Sequence, residues 1–368
     1  MRRAGNDVID LGFGNPDIAS PDRAVDKLIE AVHNPRNHRY SASRGIPGLR
    51  RAATDLYKRR FNVDIDPETE VVVGMGSKEA FCHLMWVLVG PGDAALVPAP
   101  SYPIHIYAPL IAGAEIRQVR MGPDEDLFAN LLEAWEQQWP KPRIAIVSFP
   151  HNPTTTCVDL EFMAGLVRFA RDREVFLVHD FAYSDTAFDG YRPPSILQVP
   201  GAKDVAVELY TLTKSFSMAG WRVAFCVGNA EVVAALTQFK SYMDYGVFQP
   251  VQIAAIAAMN EARDYPVEVS QTYQNRRDAL CDGLGRIGWA VPRPKATMFV
   301  WAPIPEPYVH LGSVEFAQLV ITECNVAVSP GAGFGPGGEG YVRFALIENE
   351  QRISQAVRNL RRGLVRLR

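Results

Sequence analysis

The chain has no cysteine pair, no excess of either charge, no long apolar run and no internal repeat, and each absence removes a class of function. Its five cysteines, at 82, 157, 226, 281 and 324, are scattered singly. An odd total without a CxxC pair argues against a disulfide framework and suits a reducing compartment, so the cytoplasm is the expected location. The formal net charge of -3, from 38 basic and 41 acidic residues, supplies no field to recruit nucleic acid or anionic lipid. The arginines near the C-terminus read as the solvated face of one helix. No uninterrupted apolar run approaches membrane-spanning length. The opening "MRRAGNDVIDLGFGNPD" reaches polar and turn residues after a few positions, so it lacks the apolar core of a signal peptide. The seven histidines include no pair at metal-ligand spacing, and no metal is expected.

What remains is a chain of 368 residues, 48% hydrophobic and 21% charged, able to bury a sizeable core. Short apolar runs alternate with segments of helical periodicity. "EVVVGMG" (70–76), "AALVPAP" (94–100), "RIAIVSFPHNP" (143–153), "VFLVHDFAY" (175–183), "AVELYTLTK" (206–214) and "RVAFCVG" (222–228) read as buried strands with turn chemistry at their ends. Helices are predicted at 77–90, 160–173 and 230–241. The alternation predicts an α/β fold with a mostly parallel, helix-covered sheet. Past a boundary near 262–266 the pattern changes: a long polar helix candidate (266–288) leads into "TMFVWAPI", "VAVSP" and "YVRFALI", then a final helix from about Glu350. A second, smaller α+β domain is expected there.

In an open α/β sheet, ligands bind beyond the carboxyl ends of the strands. Those ends carry Gly76-Ser77-Lys78, Ser101-Tyr102, His151-Asn152-Pro153, Asp180 with Tyr183, and Thr211 through Lys214. Ser77 reads as the cap of the following helix, whose free amides, with Thr211, Thr213 and Arg222, suit a dianionic phosphate. Alone, it is an ordinary cap. Alone, Asp180 is a structural ion-pair residue and Lys214 a surface lysine. At a buried strand end, however, a lysine has the lowered pKa that Schiff-base formation with an aldehyde requires. Pyridoxal phosphate needs all of these together: a lysine for its aldehyde, a carboxylate for its pyridine nitrogen, donors for its ring oxygen, a flat group against its ring and a cradle for its phosphate.

The sequence resembles the class I, fold-type I pyridoxal-phosphate-dependent aminotransferases over essentially its whole length. The resemblance is carried by "LGFGNPD" (11–17), "YSASRGIPGLR" (40–50), "GSKEA" (76–80), "PAPSYPIH" (98–105), "FPHNPT" (149–154), "HDFAYSDTAFDGYRPPSILQVPGAKDVAVE" (179–208), "TLTKSFSMAGWR" (211–222) and "VRFALIEN" (342–349). Within the class, "YSASRGIPGLRR", "PSYPIHIY", "KSYMDYG" and "VSPGAGFG" are most similar to the bacterial alanine (glutamate-pyruvate) transaminases, relatives of LL-diaminopimelate and methionine transaminases. The resemblance implies that Lys214 is the Schiff-base lysine and the acid-base group. It implies that Asp180 pairs with the pyridinium, that Tyr183 and Asn152 donate to the ring oxygen, and that Tyr102 stacks on the ring. Ser77, Lys78, Thr211, Thr213 and Arg222 would surround the phosphate, with Tyr40 entering from a neighbouring subunit. Arg343 would clamp the substrate α-carboxylate, helped by Gly14 and Asn152. A homodimer with shared active sites is implied, as is a large domain over 23–262 and a small one built from 1–22 and 263–368.

Two stretches depart from the pattern. Many relatives carry an additional segment before the "GNPD" turn, where about ten residues stand here. The asparagine motif reads "HNPTTTC" rather than Asn-Pro-Thr-Gly, so a different loop geometry is expected where glycine's freedom is lost. "GFGPGG" (333–338) matches G-x-G-x-x-G, but the strand-like "YVRFALI" follows it where a dinucleotide site needs a helix, so it reads as a flexible loop. His179 reads as structural, and Cys157 as a buried thiol rather than a nucleophile. Transamination of L-alanine with 2-oxoglutarate is the expected reaction, with LL-diaminopimelate, methionine or another amino acid as alternative substrates. Arg44 and Lys78 are candidates, on charge alone, for a distal substrate carboxylate. A pyridoxal-phosphate C–S lyase and the effector-binding domain of a transcription regulator are the rival readings; the second has no chain to spare for a DNA-binding module.

Overall fold

The computed structural model describes residues 1, 5–122, 125–137 and 139–364. Its strands, in chain order, are β1 (Ile9–Asp10), β2 (Val71–Gly74), β3 (Ala94–Ala99), β4 (Glu115–Arg120), β5 (Pro142–Val147), β6 (Phe176–Asp180), β7 (Ala206–Thr211), β8 (Ala224–Gly228), β9 (Phe299–Pro303), β10 (Val326–Ala327), β11 (Ser329–Pro330) and β12 (Tyr341–Ala345). The main sheet runs β2-β8-β7-β6-β5-β3-β4. Its neighbours are parallel except β8, which is antiparallel to both β2 and β7. This is the mostly parallel α/β sheet expected from the sequence.

The apolar runs are explained by burial on both faces. Leu96, Val147, Leu177 and Tyr210 point to a core shared with helices Pro47–Phe61 and Leu160–Arg173. Their strand neighbours Val97, Ile146, Val178 and Leu209 point the opposite way, toward helices Ser77–Leu88 and Ala230–Met243. Each such side chain contributes about 1.5–3 kcal/mol on leaving water. Helix Leu160–Arg173 starts where Asp159 accepts from the Phe162 amide at 2.8 Å and stops at Glu174 in the left-handed conformation, φ 54°.

Strand β4 has no counterpart among the apolar runs read from the sequence. It is the edge strand, and "EIRQVR" alternates with only Arg117 and Val119 buried, so a search for continuous apolar runs passes over it.

A separate core gathers around the antiparallel sheet β11-β12-β9, packed by helices Tyr265–Arg286, Gly312–Cys324 and Glu350–Gly363. The N-terminal strand joins this core: Ile9 pairs with Val326 in parallel, and Ile9 and Leu11 are fully buried. The glycine-rich run 333–338, read from the sequence as a flexible loop, lies against the end of β3. Its Phe334 carbonyl accepts from the Ser101 amide at 2.9 Å, and Gly337 packs on the end of β3. Among the described residues, no helix is long and apolar enough to cross a membrane.

Candidate active site

Strands β2, β3, β5, β6 and β7 all end at one edge of the main sheet, and because β8 runs against β7 it begins there. Arg222, two residues before β8, therefore faces the residues that follow the other strands. The result is a cavity of about 350 Å³ lined by Gly14, Ser77, Lys78, Tyr102, Asn152, Asp180, Tyr183, Thr211, Thr213, Lys214, Arg222 and Arg343. Every candidate from the sequence is in that lining except Arg44 and Tyr40; Tyr40 is 83% exposed and packs on Tyr245 with ring centroids 4.3 Å apart.

Lys214 sits on the short helix Leu212–Ser215, which begins where β7 stops. Thr211 starts the helix by accepting from the Thr213 amide at 3.2 Å. The Lys214 ammonium donates to the Gly14 carbonyl at 3.1 Å. Burial, then the nearby Arg343 and Arg222 charges, lower its pKa to about 7.

Asp180 is the last residue of β6. Its Oδ2 pairs with His105 Nε2 at 2.8 Å, and Ser101 Oγ holds the other ring nitrogen at 3.0 Å. Its Oδ1 is buried with no partner among the described residues. A carboxylate oxygen left so is an acceptor waiting for a donor.

Arg343 emerges from β12 and is 7% exposed. Nη1 donates to Asn152 Oδ1 at 2.7 Å and Nη2 to the Gly12 carbonyl at 3.3 Å. Its guanidinium lies 3.9 Å from the Phe299 ring centroid and 4.5 Å from that of Phe334, so two aromatic rings help hold it in place. Burial lowers its pKa to about 10, still fully charged near neutrality. Burial also raises the pKa of Tyr183, which remains a hydroxyl donor.

Ser77 departs from expectation. The cap position of helix Ser77–Leu88 belongs to Gly76, at φ 86° and ψ 156°, and Ser77 is the first helical residue without a capping bond. A Cβ built on Gly76 would overlap the Arg222 guanidinium. Glycine therefore takes the cap because the arginine lies against its backbone.

A match to a known family decides what kind of protein carries this site: the profile described as "Aminotransferase class I and II" covers residues 6–360. The chain belongs to the class I and II aminotransferases. It is 51% identical to the glutamate-pyruvate aminotransferase AlaC of Escherichia coli over 360 residues, spanning 98% of this chain and 87% of that one. It is 41% identical to an LL-diaminopimelate aminotransferase of Moorella thermoacetica, over 99% of this chain and 92% of the relative. Among solved structures it resembles substrate-bound BacF of Bacillus subtilis, at a TM-score of 0.90 and 34% identity, over 97% of this chain and 90% of the other. The protein is thus an enzyme, with the fold expected of it.

Sequence reasoning about this aminotransferase did not single out His105 and gave Ser101, named only as a strand end, no role. Both lie within "PAPSYPIH", and the signal was their i,i+4 spacing across the start of helix Pro103–Ile111, which puts a hydroxyl under an imidazole. Phe299 was missed because it reads as one more strand residue. Arg44 is not at the site; it is held by the Glu68 carbonyl and outside the lining. Lys78 lies over the Tyr102 ring, 5.5 Å from its centroid. His179 bonds Glu208 at 2.8 Å within a buried network, and the Cys157 thiol is pushed up to about 11 by burial.

The "HNPTTTC" loop resolves differently from expectation. Thr155 stands where glycine is common and adopts φ 61°, the left-handed conformation glycine favours. Its amide donates to the His151 carbonyl at 2.9 Å, and Thr154 Oγ1 bonds both His151 Nδ1 at 2.8 Å and Thr156 Oγ1 at 2.7 Å. Side-chain hydrogen bonds thus hold a turn that a flexible residue would otherwise make. Elsewhere, Glu79, His83 and Asp244 come within metal-ligand reach of one another, but the Lys240 ammonium already bridges Glu79 and Asp244 at 2.7 and 2.8 Å.

Proposed function

We propose that this aminotransferase exchanges the amino group of L-alanine with 2-oxoglutarate, giving pyruvate and glutamate, with pyridoxal 5'-phosphate held at Lys214. The observation that carries the reading is the buried Lys214 ammonium, its pKa brought to about 7, facing the same cavity as the unpartnered Asp180 oxygen. The residues fit the cofactor. Gly76, having no side chain, lets Arg222 and the first amides of helix Ser77–Leu88 approach one phosphate, with Ser77, Lys78, Thr211 and Thr213 around it. Asp180 Oδ1 suits a protonated ring nitrogen. The Tyr183 hydroxyl and the Asn152 amide suit the ring oxygen, and Tyr102 supplies a flat face. When bound, this cofactor supplies an aldehyde carbon and an electron-withdrawing ring that stabilises negative charge at the substrate Cα.

The chain's own residues do the rest. Arg343, pinned by Asn152, Gly12 and two rings, offers a planar fork to the α-carboxylate and so orients the substrate Cα. Lys214, whose lowered pKa brings its neutral amine within reach near neutrality, takes the Cα proton and returns one in the reverse direction. Asp180 is held in place by His105, and His105 by Ser101. Two half-reactions share one site, so ping-pong kinetics follow.

Alanine is supported by the 51% identity to a glutamate-pyruvate aminotransferase and by Phe13 and Ile104, which add apolar surface to the lining. The LL-diaminopimelate relatives at 41% and 40% identity support the second reading, a longer amino acid. We place the large domain at 23–262 and the small one at 1–22 with 263–368. A homodimer is supported by the exposed Tyr40 and Tyr245, whose rings pack together, with Tyr40 completing the partner's phosphate site. The unpaired cysteines support a cytoplasmic location.

The test is kcat/KM for alanine, glutamate, methionine and LL-diaminopimelate with 2-oxoglutarate or pyruvate as acceptor. Alanine with 2-oxoglutarate should lead. A higher value for LL-diaminopimelate would replace the substrate, and pyruvate with ammonia released without an acceptor would reveal a lyase.

A further inference from the structure

A second cavity, about 710 Å³, shares no lining residue with the active site. Its walls continue the segments that build the active site. Pro100, at the end of β3, precedes Ser101 and Tyr102; Thr154 through Cys157 follow Asn152. On the antiparallel pair β9-β12, Trp301 stands opposite Arg343 in register. Residues two apart share a face, so this one face presents Phe299 and Arg343 to the substrate and Trp301 and Tyr341 to the second cavity. Phe334 links the two walls: it packs edge-on against Trp301, with ring centroids 5.8 Å apart, and its ring centroid lies 4.5 Å from the Arg343 guanidinium.

The lining specifies a ligand chemistry. Trp301 and Tyr341 stack at an interplanar angle of 10° with centroids 5.1 Å apart, a flat apolar floor extended by Met121 and Pro294. Of the cations at the rim, Arg120 is engaged by Glu125 and Glu133, and Arg293 by Asp278 and Asp282. Lys295 has no hydrogen bond or ion pair from its side chain among the described residues, and it is exposed at the cavity mouth. An aromatic floor with one uncommitted cation suits a flat apolar body bearing a single anionic group.

We propose that this cavity binds a small aromatic monocarboxylate and that its occupancy changes the grip of Arg343 on the substrate carboxylate. The coupling is physical: a ring entering beside Trp301 presses on Phe334, and Phe334 helps hold the guanidinium in place. By linkage, substrate on Arg343 changes the affinity of the second cavity by the same factor. The effect on turnover rests on the transaminase reading; the binding does not.

The probe is 2-naphthoate, which has no amino or keto group at its α position and cannot enter the reaction. Calorimetry with the holoenzyme should show one site per chain, weakened about fivefold in Lys295→Gln, the scale of a single exposed ion pair. In steady state it should alter the rate non-competitively with the amino acid, and Lys295→Gln should lose that response while keeping the wild-type rate without the probe. Binding that is competitive with the amino acid and indifferent to Lys295 would place the probe on Arg343 and overturn the proposal, as would no binding at all. Failure of every transamination assay alongside Lys295-dependent binding would overturn the proposed reaction and leave the cavity standing.

Discussion

Replacing Gly76 by alanine isolates the proposed phosphate cradle from the rest of the site. At φ 86° and ψ 156° the backbone lies in a region that is essentially glycine's alone, and holding alanine there costs about 1–3 kcal/mol. The new methyl also occupies space held by the Arg222 guanidinium, which is the movable partner and must swing away. A guanidinium hydrogen bond to a phosphate contributes about 1.5–3 kcal/mol, so cofactor affinity should fall about 10- to 150-fold. The assay is titration of cofactor-free enzyme with pyridoxal phosphate, followed by absorbance. In an Arg222→Ala background the contact is already lost, so Gly76→Ala should weaken affinity far less than it does in wild type. Wild-type affinity in Gly76→Ala, or the same loss in both backgrounds, would refute the reasoning.

Other outcomes follow from the same geometry. With the folded Lys214 pKa near 7 and the unfolded value near 10.5, the unfolded chain holds more protons between those limits. The stability of the cofactor-free protein should therefore rise from pH 7 to 10.5, by up to about 5 kcal/mol, and Lys214→Met should flatten that rise in denaturant titrations. Turnover limited by neutral Lys214 should fall as pH drops below 7. Asp180→Ala should keep the cofactor bound but lower kcat by orders of magnitude, whereas His105→Phe, which frees the carboxylate, should lower kcat less and shift the pH profile of the bound cofactor's absorbance. Thr155→Gly should relieve the left-handed threonine and change unfolding free energy by about 1 kcal/mol in the stabilising direction, provided the Thr154 hydrogen bonds persist.

The main sheet was legible because its central strands are buried on both faces, so "RIAIV" and "VFLVH" stand out as continuous apolar runs. Edge strand β4 was not, since one face of "EIRQVR" is wet and its buried Arg117 looks like surface. Asp180, Lys214 and Arg222 could be read from their places beside strands. His105 could not be singled out, because its role depends on β6 bringing Asp180 next to it, a contact 75 residues away in the chain. Ser77 was misread because a serine before a helix is a good cap, and only the position of Arg222 shows why glycine takes that place.

The most direct test of the account is a single-turnover half-reaction. Purified holoenzyme is mixed with L-alanine in the absence of any keto acid, and pyruvate is quantified while the cofactor absorbance is followed. One pyruvate per active site, with no ammonia, and none from Lys214→Ala is the predicted result. Undiminished pyruvate formation by Lys214→Ala, or no product from alanine in an enzyme with cofactor bound, would contradict it.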